Sequence, residues 1–454
     1  MEQNAQPVFG LEKLYVKDLS IEVPNAPEIF LEREQPQVEI QLNTAGRAVG
    51  EGVYEVVLTV TVTAKMGDKT VFLVEVGQAG IFRIQNVPEE QIEPLIDAVI
   101  REVMAEHDVP GLAVAVTIDS HRHTFFRGVA SRTSGQPVDE HTLFEIGSIS
   151  KTLTATLACR AAVAGALSFD DHPSRHLPQL AGSALDRANL LDLGTYTAGG
   201  LPLQFPDGID DDTKLYDYFA TWRPDYEPGT HRVYSNPSIG LLGALAARSL
   251  HTSFEDAMEQ LILERLGLRE TWVRVPADRL RHYADGHAAD GSRTRVAPGP
   301  LSAQAYGIKT TAGDLLHFVE CNIDSEGLDE SLQQAIAATH VGYYEVGAMR
   351  QGLGWEMYED PADLDRLLAG NSADMIFGSN AARRLPAAER ERANRLYNKT
   401  GSTRGFSAYV LFEPAARIGV VLLANRSYPI PSRVTAAHRI RTALLGRRQQ
   451  APPR

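Results

Sequence analysis

The stretch Phe144-Glu145-Ile146-Gly147-Ser148-Ile149-Ser150-Lys151-Thr152, with the apolar run from Leu153 to Val163 behind it, decides how this chain is read. Gly147 reads as a turn residue, and the positions that follow recur with a helical period through Leu153, Thr156, Leu157 and Arg160. Ser148 is thereby expected at a helix N-terminus, where backbone N–H groups lack partners and the dipole favours negative charge. Lys151 lies three residues on, so its amine returns over the same face as the Ser148 hydroxyl. A hydroxyl, a nearby amine and a positive helix end describe an activated nucleophile. Alone, the triplet is also an ordinary polar helix start, because Ser-x-x-Lys recurs by chance.

Two further stretches change that balance. Tyr234-Ser235-Asn236 follows Pro228-Gly229 and precedes an apolar helix expected from Ile239 to Ala247. Lys399-Thr400-Gly401 is expected just before a strand over Ser407 to Leu411. In this order and at these separations the three motifs resemble the signature of serine β-lactamases and penicillin-binding proteins.

A chain of 454 residues is too long for one ordinary core, so two or three domains are expected. The formal charge of −14 argues against nucleic acid and against an anionic membrane as partners. Residues 1–96 hold 7 Lys and Arg against 15 Asp and Glu, so the acidity is concentrated at the start. Cys159 and Cys321 have neither zinc-like spacing nor a disulfide framework and read as buried thiols. Met1-Glu2-Gln3-Asn4-Ala5-Gln6 shows no basic n-region or apolar h-region, and no run approaches membrane-span length. As written, the chain is expected to be cytoplasmic, with a disordered tail over 447–454.

From Glu39 to Ile84 the pattern is β. Val38, Ile40 and Leu42 alternate with polar residues, as do Val56, Leu58, Val60 and Val62. Met66-Gly67-Asp68-Lys69 reads as a hairpin, and Val71 to Ile84 as the returning strand. The product is a small antiparallel sheet whose apolar face requires a cover. Glu12-Lys13-Leu14-Tyr15-Val16-Lys17-Asp18-Leu19-Ser20, Phe72-Leu73-Val74-Glu75-Val76 and Gln78-Ala79-Gly80-Ile81-Phe82-Arg83-Ile84 resemble the bacterial export chaperone SecB. The resemblance is read to stop near Pro94-Leu95-Ile96, before the helices that in that family cover the sheet. A truncated SecB-like segment over 1–94 is therefore expected, with self-association through its uncovered sheet as one outcome. Such a segment in place of a secretion signal suggests a fused chain.

Beyond Leu95 the character changes. Ile96, Val99, Ile100, Val103 and Met104 form a helical stripe, expected as a helix from Leu95 to Glu106. Leu112 to Ile118 and His123 to Gly128 read as strands, 168–296 as a mostly helical insertion, and Thr310 to Ile323 as a helix. Tyr409 to Leu423 reads as two strands turning at Pro414, and Val434 to Leu445 as a closing helix. The expected class is α/β, an antiparallel sheet flanked by helices and interrupted by a helical insertion, with one domain over 95–446. Along this region the chain resembles class C (AmpC-type) serine β-lactamases. Shared stretches include Thr195-Tyr196-Thr197-Ala198-Gly199-Gly200-Leu201-Pro202-Leu203-Gln204, Ala305-Tyr306-Gly307, Gln351-Gly352-Leu353-Gly354-Trp355-Glu356-Met357 and Leu422-Leu423-Ala424-Asn425.

The resemblance implies the following roles. Ser148 is the nucleophile, with Lys151 and Tyr234 jointly its base, and the sequence leaves open which of them holds the proton. The backbone N–H groups of Ser148 and Ser402 receive the oxyanion. Lys399, Thr400 and Gly401 hold the acid group of a β-lactam, assisted by Arg433. Gln204 and Asn236 face its acylamino side chain, Tyr306 walls the site, and Glu356 structures it. Ile430 stands where many relatives carry Asn, which removes a polar contact, and Asn398 where relatives often carry a basic or aromatic residue. No cofactor and no metal is expected, since His121-Arg122-His123 lacks an Asp two residues on. A penicillin-binding DD-peptidase or an esterase of the same fold is the alternative within this fold, although esterases usually lack a true Lys-Thr-Gly. An export chaperone or adaptor acting through residues 1–96 is the non-enzymatic alternative. The resembled enzymes are normally periplasmic.

Overall fold

Period-two alternation is what a half-covered strand requires, and the N-terminal residues build a sheet from it. The computed structural model describes residues 8–32, 35–50, 53–67, 69–85, 92–359, 362–390 and 395–448. The chain forms two compact units, Met1–Pro94 with Ala443–Arg454, and Leu95–Thr442. In the first unit β1 (Val8–Glu22), β2 (Gln37–Gly50), β3 (Val53–Met66) and β4 (Lys69–Gln85) pair in the order β1-β4-β3-β2, all antiparallel.

The register aligns apolar residues in rows across one face. Ile21, Val74, Val62 and Ile40 form one row, and Leu19, Val76, Val60 and Leu42 the next. Ile21 is 66% exposed and Leu42 69%, so this face is open at its outer strands. The opposite face carries Glu55 near the start of β3, buried and paired with Lys17 at 2.6 Å. Strand β1 is absent from the sequence reading for a physical reason. Register shifts between Leu11 and Lys13 and between Val16 and Asp18 stretch the apolar spacing, so Leu11, Leu14, Val16, Leu19 and Ile21 do not alternate strictly.

The second unit is organised by an antiparallel sheet of nine strands. Their spatial order is Arg383–Arg384, Tyr344–Val346, Met349–Gln351, Glu356–Glu359, Arg395–Ser402, Ser407–Glu413, Ile418–Ala424, β5 (Gly111–Ile118) and β6 (His121–Gly128). Ser407–Glu413 and Ile418–Ala424 are buried along their whole length, so the sheet centre is covered on both faces. Aromatic rings lock that core, with Trp355 edge-on to Phe412 at 4.9 Å and stacked near Phe318 at 6.0 Å. Helix α1 (Ile92–His107) runs somewhat further than its apolar stripe implies, and the closing helix spans Ile430–Arg448. The expected disordered tail lies, beyond Arg448, outside the described residues.

Helix α2 (Ser150–Val163) crosses the interior, packing against Asn236–Ser249 and Glu330–Thr339. It is buried almost all round, which is why it lacks a strong one-sided stripe. A 3₁₀ turn over Gly147–Ile149 precedes it, so Ser148 sits one turn ahead of the α-helix proper. The helix expected from Thr310 begins at Ala312, capped by Thr311, because Thr310 belongs to a two-residue strand. Lys399-Thr400-Gly401 lies inside the strand Arg395–Ser402, whereas the sequence reading puts it before a strand. Among the described residues, no helix is long and apolar enough to cross a membrane.

The second unit has its own buried core, whereas the first keeps an open apolar face. Cutting the chain before Glu90 is therefore expected to leave kcat/KM within about tenfold of the full chain, an allowance of about 1.4 kcal/mol. Sedimentation velocity on the same pair should show a larger, concentration-dependent species only for the full chain. Equal sedimentation of the two would count against self-association through the sheet.

Candidate active site

Close backbone packing fixes the nucleophile. Gly147 has φ +51°, and a Cβ there would lie 2.5 Å from the Ser402 nitrogen. Across the same contact, a Cβ on Gly401 would lie 1.9 Å from the Ile146 carbonyl oxygen. Only two glycines allow the turn before α2 to press this closely on the end of the Lys399 strand. Ser148 and Ser402 are thereby brought to one cleft of about 230 Å3, which both line. The Ser150 hydroxyl accepts a hydrogen bond from the Ile308 N–H at 3.1 Å and pins the helix start from the other side.

Lys151 is fully buried. Its amine donates to Ser148 Oγ at 2.8 Å and to the Ala305 carbonyl at 2.8 Å. Burial disfavours its charged form and, despite the neighbouring Tyr234, brings its pKa down to about 8. Tyr234 follows the short strand His231–Val233 and is also buried. Its ring lies 5.1 Å from the Lys151 amine, 4.9 Å from the Lys399 amine and 5.2 Å from the Arg232 guanidinium carbon. Burial alone raises a phenol's pKa, but the positive charges of Lys151 and then Lys399 outweigh it and bring Tyr234 down to about 8. The Tyr234 hydroxyl has no hydrogen-bond partner of good geometry among the described residues. Tyr196 braces the ring edge-on at 4.9 Å from a loop whose own backbone is left-handed at φ +64°.

Lys399 is buried and donates to Glu356 Oε1 and to the Thr400 carbonyl, both at 3.3 Å. Burial opposes its charge, yet Glu356 and Tyr234 prevail and its pKa is raised. The lining of the cleft also includes Gln204, Asn236, Thr400 and Ile430. Ser235 caps the helix Asn236–Ser249 by accepting from the Ser238 N–H, which holds Asn236 at the helix start. Asn236 Oδ1 is buried without a partner among the described residues. An acceptor left unpaired beside a cleft is suited to a ligand donor.

Two expected residues stand elsewhere. Arg433 is 2% exposed and does not line the cleft, because its donors are taken by the Gly401 carbonyl at 2.7 Å, Ser402 Oγ at 2.9 Å and the Tyr428 carbonyl. It braces the strand end that carries Ser402. Tyr306 also lies outside the lining, half-buried against the apolar cluster around Leu245. Its helix still reaches the site, since the neighbouring Ala305 carbonyl is what Lys151 grips. Asn398 is fully buried and bonded to Asn371, so it faces the interior.

The sequence reading missed Arg232, Leu203, Asn371 and the segment Met375-Ile376-Phe377, which line the cleft as well. Arg232 stands two residues before Tyr234, and an arginine that close to a motif tyrosine was the available signal. Met375 to Phe377 carry no motif, and only the fold brings them in, with Phe377 74% exposed. Cys159 and Cys321 are free, buried and not among the lining residues, and burial raises both thiols. Among the described residues, no cluster of His, Cys, Asp and Glu could hold a metal.

The architecture around this cleft has known relatives. The β-lactamase family model matches residues 96–445, and the model for preprotein translocase subunit SecB matches residues 2–105. The SecB match thus includes much of α1, past the point near residue 94 where the resemblance is read to stop. A β-lactamase from Pseudomonas fluorescens is 49% identical over 353 residues, which is 78% of this chain and 99% of that protein. A solved β-lactamase/D-alanine carboxypeptidase from Pseudomonas syringae is 44% identical with a TM-score of 0.76, covering 77% of this chain and 98% of its own. A class C β-lactamase solved in complex with cefoxitin is 42% identical, again with a TM-score of 0.76, covering 79% of this chain and 100% of its own. This chain belongs to the β-lactamase family, and within it to the class C serine hydrolases.

The glycine contact yields a direct test. Gly401→Ala drives a methyl group into the Ile146 carbonyl, for which overpacking costs about 1–3 kcal/mol. A displacement of about 1 Å at the nucleophile can cost about a hundredfold in rate. Both a lowered Tm and a kcat/KM reduced by that order are expected. An alanine variant with unchanged kcat/KM would show that the close approach is not needed.

Proposed function

We infer that this serine β-lactamase opens the β-lactam amide of penicillins and cephalosporins through an acyl-enzyme on Ser148. The observation that carries the reading is the 2.8 Å contact between the buried Lys151 amine and Ser148 Oγ. Ser148 Oγ attacks the lactam carbonyl carbon while its proton passes to the Lys151–Tyr234 pair. The carbonyl oxygen becomes an oxyanion received by the backbone N–H groups of Ser148 and Ser402, where one such donor is typically worth about 3 kcal/mol. Collapse breaks the C–N bond, and the departing nitrogen takes a proton from the same pair. Water then attacks the ester and releases Ser148.

Recognition follows from the cleft's chemistry. Lys399, kept charged, and Thr400 face the substrate acid, with Gly401 giving the strand end its closeness to the nucleophile turn. Asn236 and Gln204 offer amides to the acylamino side chain. Tyr306 acts on the water side of the acyl-enzyme from beside Ala305, and Arg433 acts through Ser402 by holding the strand end. A carboxypeptidase reading has one specific support, the double name of the Pseudomonas syringae neighbour. The two differ in deacylation, which a peptidase performs slowly on β-lactams.

The test is steady-state hydrolysis of a chromogenic cephalosporin with mass spectrometry of the intact protein. Ser148→Ala should lose turnover by several orders of magnitude and lose the acyl adduct. Turnover that survives this change, or that a chelator abolishes, would overturn the reading. An adduct persisting for hours in the unaltered enzyme would favour the peptidase.

The pH profile adds a signed prediction. Lys151 and Tyr234 have both been pulled down to about 8, and the base form exists above that value. As a coupled pair they shed protons in shared steps. kcat/KM should therefore fall as pH drops through about 8. Lys399 lowers both groups, so Lys399→Ala should move this acidic limb to higher pH. It should also penalise β-lactams far more than small neutral esters. A limb that stays in place would remove Lys399 from the proton inventory.

A further inference from the structure

Among the residues lining the Ser148 cleft, Glu356 is the one carboxylate, and it faces three cationic side chains, Arg232, Lys151 and Lys399. Its Oε1 accepts from Arg232 Nη2 at 3.3 Å and from Lys399 Nζ at 3.3 Å, so one oxygen is shared between two cations. Both cations and the carboxylate are buried, which puts the arrangement in a medium where charge interactions are strong. Arg232 is the fixed end. Its Nε donates to Gln351 Oε1 at 2.6 Å and its Nη1 to the Met375 carbonyl at 2.6 Å. Glu356 opens its strand opposite Asn398 in the neighbouring one, which delivers the carboxylate beside Lys399.

We propose that Arg232 and Glu356 are positioning residues that act on the reaction through Lys399. The anchored guanidinium holds the carboxylate, and the carboxylate holds the Lys399 ammonium beside the Tyr234 ring while balancing the positive charge around it. This rests on the Ser148 acyl-enzyme reading and adds to it a device that sets the protonation of the base. The groups facing Tyr234 are Lys151 from α2, Lys399 and Glu356 from two neighbouring sheet strands, Arg232 from the short strand just before it, Tyr196 from the bracing loop, and Ser148 from the nucleophile turn. Glu356 is the negative member of that set and raises both Lys151 and Tyr234, opposing Lys399.

The consequence has a sign that a merely structural role does not share. Glu356→Gln removes the balancing charge, so the base should deprotonate more easily and the acidic limb of kcat/KM should move to lower pH, by about one unit. Arg232→Gln removes a cation and should move the limb upward. The double variant should return the limb towards its starting position, because the two changes cancel in charge. A structural role predicts lower kcat/KM at every pH, lower Tm and no movement of the limb.

The experiment is the pH profile of kcat/KM for a chromogenic cephalosporin in the full chain and these three variants, with Tm alongside. Opposite shifts that cancel in the double variant are expected. A limb that stays fixed in both single variants, or shifts in the same direction in both, overturns the proposal. If Glu356→Gln does not fold, Glu356→Asp gives the same reading. It withdraws the charge by one methylene and should lower the limb by a smaller amount, and an unmoved limb there is equally fatal. The acyl adduct on Ser148 is measured in each variant. An adduct that forms while the limb fails to move sinks this inference alone, whereas turnover that survives Ser148→Ala sinks the underlying reading.

Discussion

An amine buried without contact to water is the constraint on which the catalytic unit depends. Desolvating a lysine costs several kcal/mol unless its donors are met or it gives up its charge. Lys151 does some of each. Ser148 Oγ and the Ala305 carbonyl take two of its hydrogen bonds, and its pKa falls to about 8. Folding and reactivity are therefore the same arrangement, because the group that must be satisfied in the core is the one that can take the nucleophile's proton. The elements that satisfy it come from far apart in the chain, the turn before α2 and the helix Ser302–Tyr306. That distance makes the site a product of the fold rather than of any one segment.

The surrounding charges extend the same logic. Tyr234, Lys399, Glu356 and Arg232 form one connected set with the Lys151 amine, in which each cation is placed against a ring, a carboxylate or a carbonyl. A cleft meant for an anionic substrate requires surplus positive charge, and surplus positive charge in a buried site requires compensation. One carboxylate shared by two cations leaves that surplus while meeting the need for a counter-charge.

The three motifs made the chemistry legible because each residue type is demanded by the reaction at a fixed place in the fold. Gly401 and Gly147 were legible as motif and turn, but not the reason for them, since a 1.9 Å clash across two segments has no sequence signal. Arg433 reads in sequence as a charge near a site, and that three acceptors meet its donors there has no sequence signal. Met375, Ile376 and Phe377 were invisible for the opposite reason. An apolar residue at a cleft wall looks the same in sequence as one in the core. The sequence shows only a weak stripe over α2, because a helix buried almost all round has no stronger one to show.

The N-terminal sheet shows how a strand can hide. A strict alternation marks β3, but in β1 two bulges insert extra residues and convert period two into a mixture of twos and threes. The pairing itself is complete, with β1 bonded along β4 nearly from end to end. Backbone hydrogen bonding therefore does not explain why one face stays apolar and open, for those bonds are satisfied whatever the side chains face. The rows through Ile21, Val74, Val62 and Ile40 are what a second layer would pack against. A sheet needs such a layer, whereas the nine-stranded sheet of the other unit already has cover on both faces of its central strands. The two units of this chain thus solve the same problem to different degrees, and the difference lies in side-chain burial alone.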